Sequence, residues 1–355
     1  MSYASVTLIA IGWLMAKIKP LSLLAFIFLL VQAAHAATAS PCSDIPHADH
    51  PKAVLTNGNL EAVVFLPDPE RGYYRSTRFD WSGVITCASV KGHRFWGEWF
   101  SKYDPLINDA ITGPVEEFRS QDGALGYADA GPGEPFVKIG VGVLRKIDDS
   151  PYKFGTFYPF IDTGKWTVHT NKRSITFEQK LQSPIGFAYL YKKTLELDKN
   201  GAVIALKHQL KNIGSKTIQT DVYDHDFFMF DGRPIGPGMM ARFPFTPKIQ
   251  DSPDTHFDPS LATVEGNTIS YLKELQPHQT VAGYITGYSD KASDYDITVE
   301  DQTEGVGIQQ TSDSPIAKFY LWSIRTTISP EAYIHLDIAP GQMQSWAIRY
   351  RLFVK

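Results

Sequence analysis

Residues 206–230 read LKHQLKNIGSKTIQTDVYDHDFFMF, and this stretch decides the predicted fold. Apolar and polar side chains alternate over 202–210, and β-branched and aromatic residues return over 217–223. A period of two is typical of a β-strand, whereas a helix repeats its apolar residues every three or four positions. The Asn and Gly between the two segments are turn residues. The stretch therefore predicts two consecutive strands.

The same pattern covers the rest of the chain from Leu60 onward, and no stretch after residue 36 keeps a helical period for three turns. This number of strands is too large for one open twisted sheet. We therefore predict an all-β fold, a large antiparallel β-sandwich of two sheets. No linker or repeat interrupts 60–355, which we predict to be one domain preceded by an extended segment over 37–59. The predicted strands include 61–66, 82–90, 137–144, 166–170, 174–181, 188–197, 241–245, 268–271, 279–287, 296–300, 307–311, 317–323, 333–338 and 344–353.

Composition excludes several classes of protein. The chain has 355 residues, 43% of them hydrophobic, with a formal net charge of −4. This excludes a disordered tail, a collagen-like repeat and a disulfide-stapled miniprotein. The chain has no run of basic residues, so we do not expect a nucleic acid partner.

The N-terminus predicts export. Lys17 and Lys19 precede an apolar stretch over 21–31 and the small-residue sequence Ala34-His35-Ala36, the order found in a secretory signal. We predict a signal peptide over 1–36, a true start at Met15, and a periplasmic or secreted protein without a membrane segment after cleavage. The alternative is an uncleaved anchor helix, because Val6 to Leu14 extends the apolar stretch upstream.

The two cysteines, Cys42 and Cys87, both lie in the mature chain. An oxidising compartment permits a disulfide between them, and the alternative is a pair of buried free thiols.

His225 is the first candidate for catalysis, since it leaves a predicted strand between Asp224 and Asp226. Neighbouring carboxylates favour the imidazolium, so we expect a raised pKa and a general acid near neutral pH. The alternative is a histidine that only bonds a strand end. Tyr223 and Asp224, which precede it, are predicted to contact the same substrate.

Residues 206–230 resemble the galactose mutarotase (aldose 1-epimerase) superfamily, in which two such strands lead to an Asn-His-x-Tyr-Phe-Asn motif. The sequences around Pro330-Glu331-Ala332-Tyr333 and Pro340-Gly341-Gln342 are similar to that family's final strands. The resemblance implies a mutarotase-like sandwich, a mono- or oligosaccharide partner, and a role for His225 in protonating the sugar ring oxygen.

The chain also departs from the family pattern. Asp224 stands where the family usually has Asn, and no Leu-His-Gly-Gly segment supplies a second histidine. The family's base motif is not recognisable, so Glu331 is the nearest carboxylate in the corresponding region, or else only a charged residue at a strand start. The resemblance therefore points to an exported branch of the superfamily.

Two further segments carry candidate substrate-binding groups. Arg78, Asp80 and Trp81 together offer hydrogen-bond donors, an acceptor and an aromatic face, the groups that a pyranose needs. The alternative is an Arg–Asp pair that pins a loop. In Glu116-Glu117, alternation sends one carboxylate inward and the other to solvent, and we take Glu117 as the alternative catalytic base.

Other signals are weaker. The aromatic cluster over 95–100 is predicted to be core, with a saccharide groove as the alternative. We predict no metal site, since His47 and His50 lack a third ligand nearby, and no cofactor.

Three functions fit these features: aldose 1-epimerase-like acid–base catalysis at an anomeric carbon, elimination or hydrolysis of an oligosaccharide on the same fold, and non-catalytic carbohydrate binding. In the first, Glu331 or Glu117 takes the O1 proton while His225 donates a proton to the ring oxygen.

Overall fold

The structure, a computed structural model, describes residues 40–355, so the predicted signal peptide lies outside the described residues. Pro41–Lys355 forms one compact unit. Its regular elements are β1 (Lys52–Thr56), β2 (Glu61–Phe65), β3 (Val84–Val90), β4 (His93–Arg94), β5 (Val115–Arg119), β6 (Pro135–Lys138), β7 (Gly142–Arg145), β8 (Phe160–Asp162), β9 (Lys165–Thr170), β10 (Ser174–Gln182), β11 (Ala188–Leu197), β12 (Val203–Asn212), β13 (Ile218–His225), β14 (Met239–Arg242), β15 (Lys248–Ile249), β16 (Ala262–Glu265), β17 (Thr268–Tyr271), β18 (Thr280–Thr286), a 3₁₀ turn (Ala292–Asp294), β19 (Asp296–Asp301), β20 (Val306–Ser312), β21 (Lys318–Ile324), β22 (Thr327–Ile338) and β23 (Met343–Val354).

Two large antiparallel sheets dominate the fold and confirm the predicted sandwich. One has ten strands in the order β16-β17-β14-β19-β20-β23-β12-β11-β10-β9, and the other has six in the order β15-β18-β21-β22-β13-β5. Two smaller sheets contain β1 to β4 and β6 to β8. The strands predicted from 206–230 separate into the two large sheets, β12 in the ten-stranded sheet and β13 in the six-stranded one.

The core lies between the two large sheets. Leu206 and Leu210 of β12 belong to the same buried cluster as Val222 of β13 and Ile334 of β22. Because successive side chains of a strand point to opposite faces, the residues between these on β13 and β22 lie on the other face of the six-stranded sheet. That second face carries the site described below.

Some strand boundaries differ from the sequence prediction. The segment 137–144 was predicted as one strand, but β6 and β7 flank a turn at Gly140, whose φ is +76°. A Cβ at Gly140 would lie 2.8 Å from atoms of the Asp80 side chain, so this position requires glycine. At the N-terminus, β1 pairs with β2, and the folded unit therefore begins before Leu60.

A disulfide joins Cys42 to Cys87, which lies in β3. It ties the segment before β1 to the four-stranded sheet. Across residues 40–355, the structure contains no helix of the length and apolar character needed to cross a bilayer.

Candidate active site

His225 and Glu331 meet on the outer face of the six-stranded sheet. His225 ends β13 and Glu331 lies in the adjacent strand β22. Strand pairing runs from Ile218 opposite Ile338 to Val222 opposite Ile334, and continuing this register brings position 225 beside position 331. The His225 Nε2 atom is 3.3 Å from Glu331 Oε1. Two residues more than one hundred positions apart in the chain thus form an imidazole–carboxyl pair.

Aromatic rings surround the His225 imidazole. Phe227 stacks on the His225 imidazole with ring centroids 3.8 Å apart, and Trp322 and Phe79 meet it edge-on at 5.2 Å and 5.7 Å. His225 is 5% exposed and Glu331 is 4% exposed. The pair is therefore largely shielded from water, which makes either charged form costly.

Burial sets the protonation of both groups. Desolvation lowers the pKa of His225 well below its usual value, and the nearby Arg78 guanidinium lowers it further. Burial raises the pKa of Glu331 to about 8. At neutral pH the histidine is therefore neutral and the carboxyl group carries the proton, so the pair holds one transferable proton.

The raised pKa expected for His225 was therefore wrong. Asp224 and Asp226 flank it in sequence, but alternation turns both away, and both carboxyl groups lie within hydrogen-bond distance of the Tyr350 hydroxyl on β23 between the sheets. The Asp224 carboxyl is 0% exposed, and burial raises its pKa to about 8. Asp224 does not line the cleft, so the prediction that it contacts a substrate is corrected.

A second cluster lies beside the pair and fixes Arg78 and Tyr223. Arg78 Nε donates to Glu117 Oε2 at 2.9 Å, and its Nη2 donates to the Tyr223 hydroxyl at 3.2 Å. Tyr223 in turn donates to Glu117 at 2.6 Å, and Lys138 donates to the other carboxylate oxygen at 3.0 Å. Asp109 accepts from Arg78 at the outer side. Arg78 and Tyr223 both line the cleft.

Glu117 is not available as a catalytic base, contrary to the alternative drawn from the sequence. Burial alone would raise its pKa, but Lys138, Arg78 and Arg119 outweigh that effect and hold its pKa well below the usual range. Its side chain is 0% exposed and does not line the cleft. Glu117 instead positions Arg78 and Tyr223.

The neighbouring Glu116 is also fully buried, so the prediction that one of these two carboxylates faces solvent was wrong. Glu116 faces the ten-stranded sheet, where it bonds Lys193 and His208. Strand β5 is covered on both faces. On each face, a buried glutamate of β5 is paired with cationic side chains from other parts of the chain.

Asp80 and Trp81 are buried and do not line the cleft, so the prediction that they contact a substrate is corrected. Asp80 is 1% exposed and accepts hydrogen bonds from Ser82 and Tyr191, and burial raises its pKa to about 7. Trp81 is 2% exposed and donates to the Ser76 carbonyl at 2.8 Å. All of these partners are internal, so neither side chain has a surface to offer a sugar.

The cleft above the pair has a volume of about 830 Å³, within the range of about 300–1,000 Å³ typical of ligand sites. Arg78 and Arg119 line it, together with Asp109 and Asp254. Its walls are rich in aromatic side chains, which include Trp99, Tyr152, Phe154, Phe227, Trp322 and Tyr333. Aromatic rings beside hydrogen-bonding groups match the apolar faces and hydroxyls of a sugar.

Part of the aromatic cluster over 95–100 lies in the core and part lines the cleft. Phe95 and Trp96 are core, as expected, whereas Trp99 lines the cleft and stacks on Phe227 at 4.8 Å. Trp322 and Arg119 also line the cleft, and sequence reasoning missed both. Within 40–355, no group of three or more His, Cys, Asp or Glu side chains is arranged to hold a metal ion.

The fold is that of a galactose mutarotase-like β-sandwich. Galactose mutarotase-like proteins from Clostridium acetobutylicum and Lactobacillus casei superpose with TM-scores of 0.54 and 0.51, at 11% and 13% identity. Each comparison covers 85% of this chain, with 95% and 100% of the respective neighbour. An aldose epimerase homologue from C. elegans gives a TM-score of 0.52 at 11% identity over 86% of this chain and 99% of its own.

The resemblance drawn from 206–230 is thus confirmed at the level of the fold. No family model matches the chain, and no curated protein is significantly similar to it in sequence. At 11–13% identity, these neighbours establish a shared architecture. The chemistry of this chain must be argued from its own residues.

Proposed function

We propose that this protein is a carbohydrate-active enzyme that interconverts the anomers of a sugar by acid–base catalysis, as an aldose 1-epimerase does. The observation that carries the proposal is the 3.3 Å contact of His225 with Glu331 at the base of an aromatic cleft. The mutarotase-like fold, shared with galactose mutarotase-like proteins and an aldose epimerase homologue, supports the choice of substrate class.

Anomerisation needs one acid and one base at adjacent positions, because the ring oxygen and O1 are bonded to the same carbon. The neutral His225 Nε2 accepts the O1 proton while the protonated Glu331 donates its proton to the ring oxygen. The bond from C1 to the ring oxygen breaks and the C1 carbonyl forms. Rotation about the C1–C2 bond and the reverse proton transfers then give the other anomer, and no net proton is consumed.

This assignment exchanges the roles expected from the sequence. There, His225 is the acid and a carboxylate is the base. The pKa values, lowered for His225 and raised to about 8 for Glu331, favour the reverse starting state. Both descriptions contain the same number of protons, so they differ only in which residue holds the shared proton before the reaction begins.

The test is the rate at which freshly dissolved α-glucose or α-galactose reaches anomeric equilibrium, followed by polarimetry or NMR. We expect His225→Asn and Glu331→Gln each to slow the enzymatic rate by at least about a hundredfold, the usual size of an acid–base contribution. The matched control is His335→Asn, since His335 lies on the same strand as Glu331 and pairs with Asp221 at 2.8 Å, exposed and away from the pair. No acceleration with any common hexose would contradict the proposal.

Elimination or hydrolysis of an oligosaccharide is the second candidate, and one observation favours it. Arg78 and Arg119 both line the cleft, where they would neutralise the carboxylate of a uronate. An unsaturated product that absorbs ultraviolet light would indicate elimination, and new reducing ends without that absorbance would indicate hydrolysis. Sugar binding without any turnover would indicate a non-catalytic carbohydrate-binding protein.

A further inference from the structure

Two tyrosines on the next two strands lie in line with Glu331 across the six-stranded sheet. Tyr320 of β21 is paired directly opposite Glu331, and Tyr284 of β18 is paired directly opposite Tyr320. Directly paired residues of antiparallel strands point to the same face. With strands about 4.8 Å apart, Tyr284 lies about 10 Å from Glu331, two strand spacings along the cleft. We call Tyr320 and Tyr284 the tyrosine row.

The tyrosine row is held in place and open to solvent. The two ring centroids are 4.9 Å apart at an interplanar angle of 62°, and the Tyr320 hydroxyl donates to the Asp254 carbonyl at 2.8 Å. Both side chains are half-buried and line the cleft. Rings fixed in this way lose little conformational freedom when a ligand stacks on them.

Polar groups continue beyond the tyrosine row. His256 and Thr280 line the outer end of the cleft and also line an adjoining groove of about 610 Å³. Asp258, His278 and Gln279 also line that groove, beside Phe257 and Leu261, and offer hydrogen-bond donors and acceptors. A ligand longer than one ring can therefore extend from the pair along the tyrosine row and into this groove.

We propose that the tyrosine row is a second sugar subsite and that the substrate is a reducing oligosaccharide. Its reducing-end ring lies at the His225–Glu331 pair, and the next sugar stacks on Tyr320 and Tyr284 with its hydroxyls toward Asp254 and His256. This inference rests on the proposed function for the identity of the reacting end. A single hexose at the pair leaves the tyrosine row and the adjoining groove unoccupied.

The test compares mutarotation of the reducing disaccharides maltose, cellobiose and lactose with that of glucose, the sugar at the reducing end of all three. We expect at least one disaccharide to have the higher kcat/KM. Tyr284→Ala is expected to lower the ratio of disaccharide to monosaccharide kcat/KM by about tenfold, the loss typical of an aromatic binding residue. Tyr284→Phe keeps the ring and is expected to keep the ratio, and circular dichroism checks that both variants are folded.

A binding measurement separates failure of this inference from failure of the proposed function. Calorimetric titration of Glu331→Gln with the same sugars should give tighter binding of a disaccharide, and Tyr284→Ala in that background should remove the difference. Equal kcat/KM for mono- and disaccharides, unaffected by Tyr284→Ala, would overturn the subsite while leaving the epimerase proposal intact. Disaccharide binding without anomerisation would keep the subsite and refute the epimerase, and absence of disaccharide binding would refute the subsite.

Discussion

At the residue scale, the behaviour of the site depends on which group holds the proton. Charge at His225 must be accommodated among Phe79, Phe227 and Trp322, whose ring centroids lie 3.8–5.7 Å from that of the imidazole. Moving the shared proton from Glu331 to His225 creates two opposite charges 3.3 Å apart, which attract strongly where water is excluded. Reaction therefore proceeds without isolating one buried charge.

The pH dependence of the rate follows from these pKa values. The active state needs Glu331 protonated and His225 neutral, and the pKa of Glu331 is about 8. Raising the pH through about 8 removes the acid, so kcat/KM for anomerisation should fall on the alkaline side with an apparent pKa near 8. On the acid side it should fall only below the ordinary pKa range of histidine, because burial lowers the pKa of His225.

A pH–rate profile measured between pH 4 and pH 10 checks this prediction. Glu331→Gln should lose the alkaline limb along with most of the rate. A rate that instead rises through pH 8 would contradict this account, because it would show that the active site works after the pair has lost its shared proton.

Sequence reasoning reached the two central residues, but could not reach their surroundings. The motif around His225 and the position of Glu331 in a late strand were sufficient to nominate both. Phe227 stacks on His225 because its φ of +45° lies in the left-handed region, which a bulky residue rarely adopts. No pattern in the sequence indicates such a backbone, and Trp322 arrives from a strand nearly one hundred residues later.

At the element scale, β5 connects the site to the interior. Glu117 bonds Arg78, Tyr223 and Lys138 on one face of this strand. On the other face, Glu116 accepts from His208 Nε2 at 2.6 Å and pairs with Lys193. The sequence-based expectation of one solvated carboxylate assumed that one face of the sheet is exposed to solvent. Both faces of β5 are instead covered by other parts of the protein.

Lys193 is a sensitive position in this arrangement. Its side chain is 0% exposed, it pairs with Glu116, it lies 3.8 Å from Asp80, and it donates to the Ser82 carbonyl at 2.8 Å. Removing the cation leaves buried carboxylates without their partner, so Lys193→Met should lower the free energy of unfolding by about 3–5 kcal/mol.

Chemical denaturation at neutral pH measures this loss. The matched control is Lys192→Met, because Lys192 is the next residue of β11 and its 46% exposed side chain pairs with Glu178 at the surface. That substitution should change the free energy of unfolding by no more than about 0.5 kcal/mol. Equal effects of the two substitutions would contradict the structural role assigned to Lys193.

At the scale of the whole molecule, alternation predicted the sandwich, because two-residue periodicity is local and each strand carries it. Pairing order is not local. Strands β12 and β13 follow one another in the chain yet lie in different large sheets, and β12 pairs instead with β23 near the C-terminus. The 206–230 stretch therefore supplied the fold class and two strand positions, while the cleft depended on long-range pairing.

The disulfide acts on the molecule as a whole. Cys42 and Cys87 are 45 residues apart in sequence and tie the N-terminal segment to β3. Closing a loop of this length restricts the unfolded chain, so Cys42→Ser with Cys87→Ser should reduce the free energy of unfolding by about 2–4 kcal/mol. The loss should appear as a lower Tm in calorimetry. A reductant should lower the Tm of the native protein but leave the Tm of the double serine variant unchanged.

Export is the setting that we propose for this protein. A structural disulfide persists in an oxidising compartment, and the pair Cys42–Cys87 fits one. Mass spectrometry of the protein purified from the periplasm or the culture medium of an expressing bacterium should give a mature chain that starts at Ala37. Recovery of the uncleaved chain in the membrane fraction would favour the anchor helix instead.

The central claim is that the anomeric carbon of a sugar binds against His225 and Glu331, and a crystal structure of Glu331→Gln with the fastest-reacting hexose tests it most directly. The account predicts that O1 or the ring oxygen lies about 2.6–3.2 Å from His225 Nε2, with the other oxygen at the same distance from the side chain of residue 331. A hexose bound elsewhere, or one that turns its anomeric carbon away from His225, would contradict it.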